Sequence, residues 1–176
     1  MNLPMKPKMN PFAAVLSGAL FFAMTATASA STLILETTKG DVRIAMLETL
    51  APNHVSRITE LAEDGFYDGV VFHRVIPGFM AQTGDPTGTG MGGSGQKLKA
   101  EFSDYEYRYG TVGMARSMSP DSGDSQFFIC FDGCGHLTGQ YTVWGQVESG
   151  MEVIEAINAG EPPSDPDSII TAKMAK

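Results

Sequence analysis

Phe72–Asp85, FHRVIPGFMAQTGD, sets an arginine among apolar residues on either side of a Pro77-Gly78 turn. A run of apolar and β-branched residues broken by Pro-Gly predicts two short strands joined by a turn. Side chains alternate across a strand, so Phe72 and Arg74, two apart, fall on one face, with Phe79, Met80 and Gln82 following on the strand after the turn. The pair then presents an apolar wall with a cationic donor at its edge. The Gln82 amide, with an acceptor oxygen and an NH₂ donor, is suited to hold that guanidinium. His73 points to the opposite face and receives no catalytic role.

Working outward, TLILETT and DVRIAML flank Lys39-Gly40 and predict an opening antiparallel hairpin. In ETLAPNHVSRITELAEDG, Val55, Ile58, Leu61 and Ala62 fall at helical spacing, with Pro52 in the first turn and Gly65 at the stop. VVFHRVI, FMAQTGD, GTVGMAR, SQFFICF, YTVWGQV and SIITAKM predict further strands. GMEVIEAINAG, with Val153, Ile154 and Ile157 on one face, predicts a second helix ending at Gly160. Seven or eight short strands with only two helices in one small domain predict a mainly β fold, a closed antiparallel β-barrel, because closure removes exposed edges.

Residues 1–30 have the layout of a secretory leader: Lys6 and Lys8, the apolar run PFAAVLSGALFFAM, then Ala28-Ser29-Ala30 as a small-residue cleavage site. The run is short against the roughly 20 residues that span a bilayer, so cleavage after Ala30 is expected, leaving a domain over 31–176. Removing the leader takes away two lysines and no acid, which moves the formal charge from −8 to −10. A surface of that sign repels phosphate backbones and anionic lipid, so neither nucleic acid nor a membrane surface is expected as a partner.

Cys130 and Cys134 are four apart, a spacing that lacks the C-x-x-C of thioredoxin-like motifs and leaves too few ligands for structural zinc. Cys130 reads as a small buried core residue, and a disulfide with Cys134 requires the chain to turn back at Asp132-Gly133. GDPTGTGMGGSG, Gly84–Gly95, lacks the Gly-Lys-Ser/Thr ending of a phosphate-binding loop and reads as a flexible surface loop. Ser125 has no histidine and acid partners in view, the G-x-S-x-G elbow is missing, and His54, His73 and His136 have no metal-ligand spacing. No metal or other cofactor is expected. A hydrolase or metal enzyme is thereby disfavoured. On composition alone Arg74 is a surface arginine lying over apolar residues, and Phe79, Met80 and Phe128 are ordinary core.

FHRVIPGFMAQTGDPTGTGMGGSG, GTVGMAR, SQFFIC and HLTGQYTVWGQV, in this order and at these intervals, resemble the cyclophilin family of peptidyl-prolyl cis-trans isomerases, over nearly all of residues 31–176. The compact loops, MARSMSPDSGDSQFF and the leader resemble the bacterial periplasmic type. The resemblance implies an eight-stranded barrel capped by two helices, with a shallow active-site groove on its outer face. By motif it makes Arg74 the catalytic arginine, lines a proline pocket with Phe79, Met80, Phe128 and Leu137, and assigns polar contacts to Gln82 and Gln126. Ala115 matches the position beside which the residue before proline binds. Arg116 stands where many members have asparagine, His136 where some have the tryptophan linked with tight cyclosporin binding, and Tyr141 where histidine is frequent, so weak cyclosporin binding is expected.

The resemblance also implies that the partners are proline-containing segments of exported proteins, met by a periplasmic or secreted monomer. The competing expectation is a binding module of the same fold that grips such segments, as a chaperone would, without accelerating exchange.

Overall fold

The computed structural model describes residue 1 and residues 31–175; the expected leader lies outside the described residues. Strands β1 (Thr32–Thr37) and β2 (Gly40–Met46) form the opening hairpin, in register from Thr32↔Ala45 to Thr37↔Gly40. Their alternation buries Leu33 and Leu35 on one strand and Val42, Ile44 and Met46 on the other. Helix α1 (Pro52–Glu63) starts with a proline whose missing N–H would have had no partner in the first turn. Its N-cap, Ala51, has no side-chain acceptor; Glu101 supplies one from a distant loop, accepting from the backbone N–H groups of Asn53 and His54 at 3.1 and 3.0 Å. Val55, Ile58, Leu61 and Ala62 form its buried stripe.

The remaining elements are β3 (Arg74–Ile76), β4 (Met80–Thr83), β5 (Thr111–Met114), β6 (Phe127–Cys130), β7 (Val143–Ser149), helix α2 (Met151–Glu155) and β8 (Ile169–Met174). Among the described residues they make one eight-stranded sheet in the order β3-β4-β6-β5-β7-β2-β1-β8, in which neighbouring strands run antiparallel. Trp144, fully buried, meets the ring of Phe127 edge-on at 5.2 Å in the main core between sheet and helices.

Three expectations need correction here. The sheet curls into a half-barrel and does not close: β3 and β8 are its edges, and among the described residues no ladder joins them, the chain around them meeting at the isolated bridges Val71↔Ser168 and Val75↔Gly160 and at the bond from Gly69 N–H to the Ile169 carbonyl at 2.8 Å. The approach to β8 carries Pro162, Pro163 and Pro166, which have no N–H to give to a ladder, and β3 is three residues long. Regular pairing begins only at Arg74, so Phe72 is not beside it on one face; Phe72 is fully buried in the main core. Helix α2 is a single turn and a half, because Ala156 and Ile157 bond three residues back and the next N–H, of Asn158, is taken by the Asp167 carboxylate at 2.9 Å.

Cys130 and Cys134 are joined in a disulfide, with Cα atoms 6.0 Å apart, so Cys130 is more than a small apolar core residue. The turn that permits it is the 3-10 segment Asp132–Leu137. There Gly133 donates its N–H to the Gly78 carbonyl at 2.9 Å, and a Cβ at Gly133 would stand 2.6 Å from that same oxygen. The backbone on both sides is fixed, so alanine at 133 should destabilise the fold by about 1–3 kcal/mol. Urea unfolding of Gly133→Ala against the native chain measures this, and equal midpoints would show that the Gly78–Gly133 contact is slack.

Candidate active site

The site follows from strand register. Arg74 pairs with Gln82, Gln82 with Phe128, and Phe128 with Gly113, so these four residues form a row across β3, β4, β6 and β5. Ile76, Met80 and Cys130 form the next row in the same sense. The intervening residues, Val75, Ala81, Ile129 and Val112, belong to the main core, whereas Met80, Phe128, Cys130, Cys134 and Leu137 form a second apolar cluster with Tyr107 and Val143. Period-two alternation thus gives the sheet an outer face apolar enough to receive a ligand.

That face carries a groove of about 140 Å³ lined by Arg74, Phe79, Met80, Gln82, Ala115, Arg116, Phe128, Leu137 and Tyr141. Of the residues singled out in the sequence, the structure brings eight of these together, and Arg116, noted there as a departure, joins them. Gln126 lies one step away in the adjoining groove, and His136 stacks on Phe79 with ring centroids 5.6 Å apart. Met80, Phe128 and Leu137 are buried, which leaves only one flank of each for a ligand. Tyr107 was not anticipated. It stacks on Phe128 at 5.7 Å in the space above Gly113, where a Cβ would come within 2.1 Å of its hydroxyl oxygen. A glycine inside a strand marks close approach by another group, and GTVGMAR carried that signal.

The polar side of the groove differs from expectation. Gln82 does not hold Arg74: its Nε2 donates to Gln126 Oε1 at 2.9 Å. Arg74 Nε donates instead to Glu161 Oε2 at 2.7 Å. Gln126 in turn donates through Nε2 to the carbonyls of Gly90 and Gly92, at 3.0 and 2.8 Å. Arg116 covers the Tyr141 ring, its guanidinium carbon 4.5 Å from the centroid, and donates through Nε and Nη2 to the Gln140 carbonyl at 3.1 and 2.9 Å. Tyr141 then meets Phe128 edge-on at 5.7 Å. The second arginine is thus engaged in fixing a wall of the groove.

The glycine-rich stretch after Gly84 is built around a carboxylate, contrary to the expectation of a loose surface loop. Asp85 is fully buried and accepts from the N–H groups of Thr87, Gly90 and Gly92, at 2.8, 2.6 and 3.1 Å, and from the Thr87 hydroxyl at 2.8 Å. His73 is buried behind this loop, and that burial holds its pKa below the ordinary imidazole value, with Asp85 acting against the shift and Arg74 adding to it. Among the described residues no group of three or more His, Cys, Asp or Glu side chains is placed to hold a metal ion. The groove offers an apolar seat, a guanidinium at its rim and no paired nucleophile and base, an arrangement able to bind and distort a ligand.

Residues 32–174 match the family described as cyclophilin type peptidyl-prolyl cis-trans isomerase/CLD. The chain belongs to the cyclophilin-type peptidyl-prolyl cis-trans isomerases. A probable peptidyl-prolyl cis-trans isomerase of Brucella suis is 46% identical over 177 residues, covering 89% of this chain and 90% of the relative. A peptidyl-prolyl cis-trans isomerase of Synechococcus elongatus is 45% identical over 130 residues, covering 73% of this chain and 89% of its own. Among solved structures, a cyclophilin-type isomerase of Cryptosporidium parvum superposes with a TM-score of 0.78 at 28% identity, covering 84% of this chain and 98% of the other.

In this cyclophilin the Asp85 loop should be acid-sensitive in a defined window. Burial alone would raise the Asp85 pKa, yet the donors around it hold the carboxyl down to about 2. A carboxyl whose folded pKa lies below its unfolded value of about 3.9 stabilises the fold fully above that value and loses the contribution as pH falls through the folded one. The amide signals of Gly90 and Gly92 should therefore hold from neutral pH to about 4 and shift as pH falls toward 2. Signals that titrate with a midpoint near 4 would show that the buried carboxylate is not held by these donors.

Proposed function

We propose that the groove binds an X-Pro segment of an unfolded or flexible exported protein, with the pyrrolidine ring seated on Phe79, Met80, Phe128 and Leu137 and the prolyl amide beside Arg74. The barrier to rotation, about 18 to 20 kcal/mol, comes from resonance across the C–N bond. No bond is made or broken, so the reaction needs neither nucleophile nor base. It needs a site that binds the twisted amide better than either planar isomer.

A guanidinium at the rim meets that need. Twisting the amide localises a lone pair on the prolyl nitrogen, which becomes an acceptor only then, so a donor from Arg74 is stronger in the transition state than in the ground state. The apolar seat holds the ring while the carbonyl on its N-terminal side swings round. The observation that carries this reading is the single row Arg74–Gln82–Phe128, which sets the cation beside the apolar seat on one face of the sheet. His136, stacked on Phe79, offers a smaller apolar edge than tryptophan, which supports weak cyclosporin binding.

The leader layout of residues 1–30 and the Cys130–Cys134 disulfide both suit an oxidising, extracytoplasmic compartment. The mature chain in the periplasm should begin at Ser31; Edman sequencing that returns Met1 or an internal start would overturn the cleavage reading.

Arg74→Ala should keep the fold and lower kcat/KM by about 10²–10³-fold, the scale of losing one transition-state donor. A protease-coupled or NMR exchange assay on an Ala-Pro peptide checks this, with far-UV circular dichroism as the control for folding. Near-native activity in the folded variant would sink the role of Arg74. An inactive native chain that still binds unfolded segments would favour the binding-module alternative.

A further inference from the structure

Arg74 lies between two neighbours that the backbone sets opposite it. On the β4 side its register partner is Gln82, whose NH₂ is committed to Gln126. On its other side, Val75 and Gly160 exchange both backbone hydrogen bonds, at 2.8 and 3.0 Å, in an antiparallel bridge. Antiparallel register then sets residue 74 opposite residue 161, the geometry in which cross-strand side chains interact. Among the described residues, the bond from Nε to Glu161 at 2.7 Å is the one hydrogen bond that the Arg74 guanidinium makes.

The segment bearing Glu161 is itself anchored. The Asp167 carboxylate accepts from Asn158 N–H at 2.9 Å and from the Thr38 hydroxyl at 2.8 Å, and the Asp167 carbonyl accepts from Phe72 N–H at 2.9 Å. Asn158 Nδ2 closes the loop onto the Asp165 carbonyl at 2.9 Å. Loop 158–167 is therefore tied to itself, to the β1–β2 turn and to the chain just before β3. A carboxylate carried on it is held in place more firmly than one on a free surface loop.

We propose that Glu161 is a positioning residue for isomerisation: by accepting from Nε it fixes the plane of the Arg74 guanidinium and leaves both Nη groups directed at the prolyl amide. The guanidinium is a rigid planar fork, so restraint at Nε restrains the Nη donors. The proposal rests on the role of Arg74 given above. Both partners are substantially exposed, with 40% of the Arg74 side chain and 53% of the Glu161 side chain accessible. Such a pair adds little to global stability, and its effect is to be read in the rate.

The test compares Glu161→Ala and Glu161→Gln with the native chain, using an uncharged Ala-Pro peptide and the ¹⁵Nε–¹H signal of Arg74. Glu161→Ala should lower kcat about three- to tenfold, equivalent to roughly 0.7–1.4 kcal/mol, with KM and melting temperature unchanged and the Arg74 Nε–H signal broadened by solvent exchange. Glu161→Gln retains an acceptor oxygen and should recover kcat to within about twofold of native, with a sharp Nε–H signal. An unchanged or raised kcat in Glu161→Ala, an equal loss in both variants, or a sharp Nε–H signal in Glu161→Ala would each overturn the proposal. In those cases a native rate that still depends on Arg74 leaves the parent reading standing; full activity in Arg74→Ala removes both.

Discussion

A slip of β4 by one residue against β6 would turn Gln82 toward the core and bring Ala81 to the groove beside Phe128. The antiparallel register across β3, β4, β6 and β5 is therefore the constraint on which the rest depends, since it sets cation, amide and aromatic ring in one row. The core enforces it. Ala81, Ile129 and Val112 lie on the inner side of the same strands and are buried in the main core, and a slipped strand would withdraw its residue from it. Packing of the half-barrel and placement of the site are one requirement, met by alternate residues of the same short strands.

The walls that the strands cannot supply come from irregular segments, each fixed by a different local device. Gly133 closes on Gly78 and the Cys130–Cys134 disulfide ties the 3-10 segment that ends at Leu137 to β6. Asp85 gathers the backbone N–H groups of the loop that follows β4, and the carbonyls of that loop orient Gln126, which in turn orients Gln82. The direction of each amide is set by this chain of donors and acceptors, beginning at a buried anion. Arg116 secures the opposite wall through Tyr141. If the groove binds a twisted amide in preference to a planar one, as proposed, it needs such walls, because preorganised donors stabilise a transition state without having to move.

Much of the fold was legible because it is local and periodic. The β1–β2 hairpin, the stripe of α1 and the strands around Phe128 follow from spacing that any short window contains. The groove residues were reached through motif resemblance, and the structure brings them together. What escaped is non-local. Nothing in a window around Arg74 or around Glu161 signals that they face each other, since their pairing is inherited from the Val75–Gly160 bridge. The expectation that Gln82 holds Arg74 failed for the same reason: opposite residues in a strand pair compete for partners, and Gln126, 44 residues further along the chain, took the amide. Closure of the sheet was inferred from the cost of exposed edges, yet three prolines before β8 and a three-residue β3 allow the edges to be covered by single bridges.

That incomplete closure bears on the chemistry. Had β3 and β8 paired along their whole length, the neighbour of Arg74 would have been another strand residue within a ladder. The opening between the edges is bridged by the loop over residues 158–167, and this loop brings a carboxylate to the arginine. In the proposed mechanism a cation at the rim of an apolar groove has two competing demands: it must be restrained enough to aim at the amide and retain donors with which to bind it. A single acceptor at Nε satisfies both, because it restrains the plane and uses none of the Nη groups. An acceptor chelating the Nη pair would have satisfied only the first. The half-barrel thus gives Arg74 a restraint that arrives from outside the strand row and, in the role proposed for it, leaves both Nη groups free to donate.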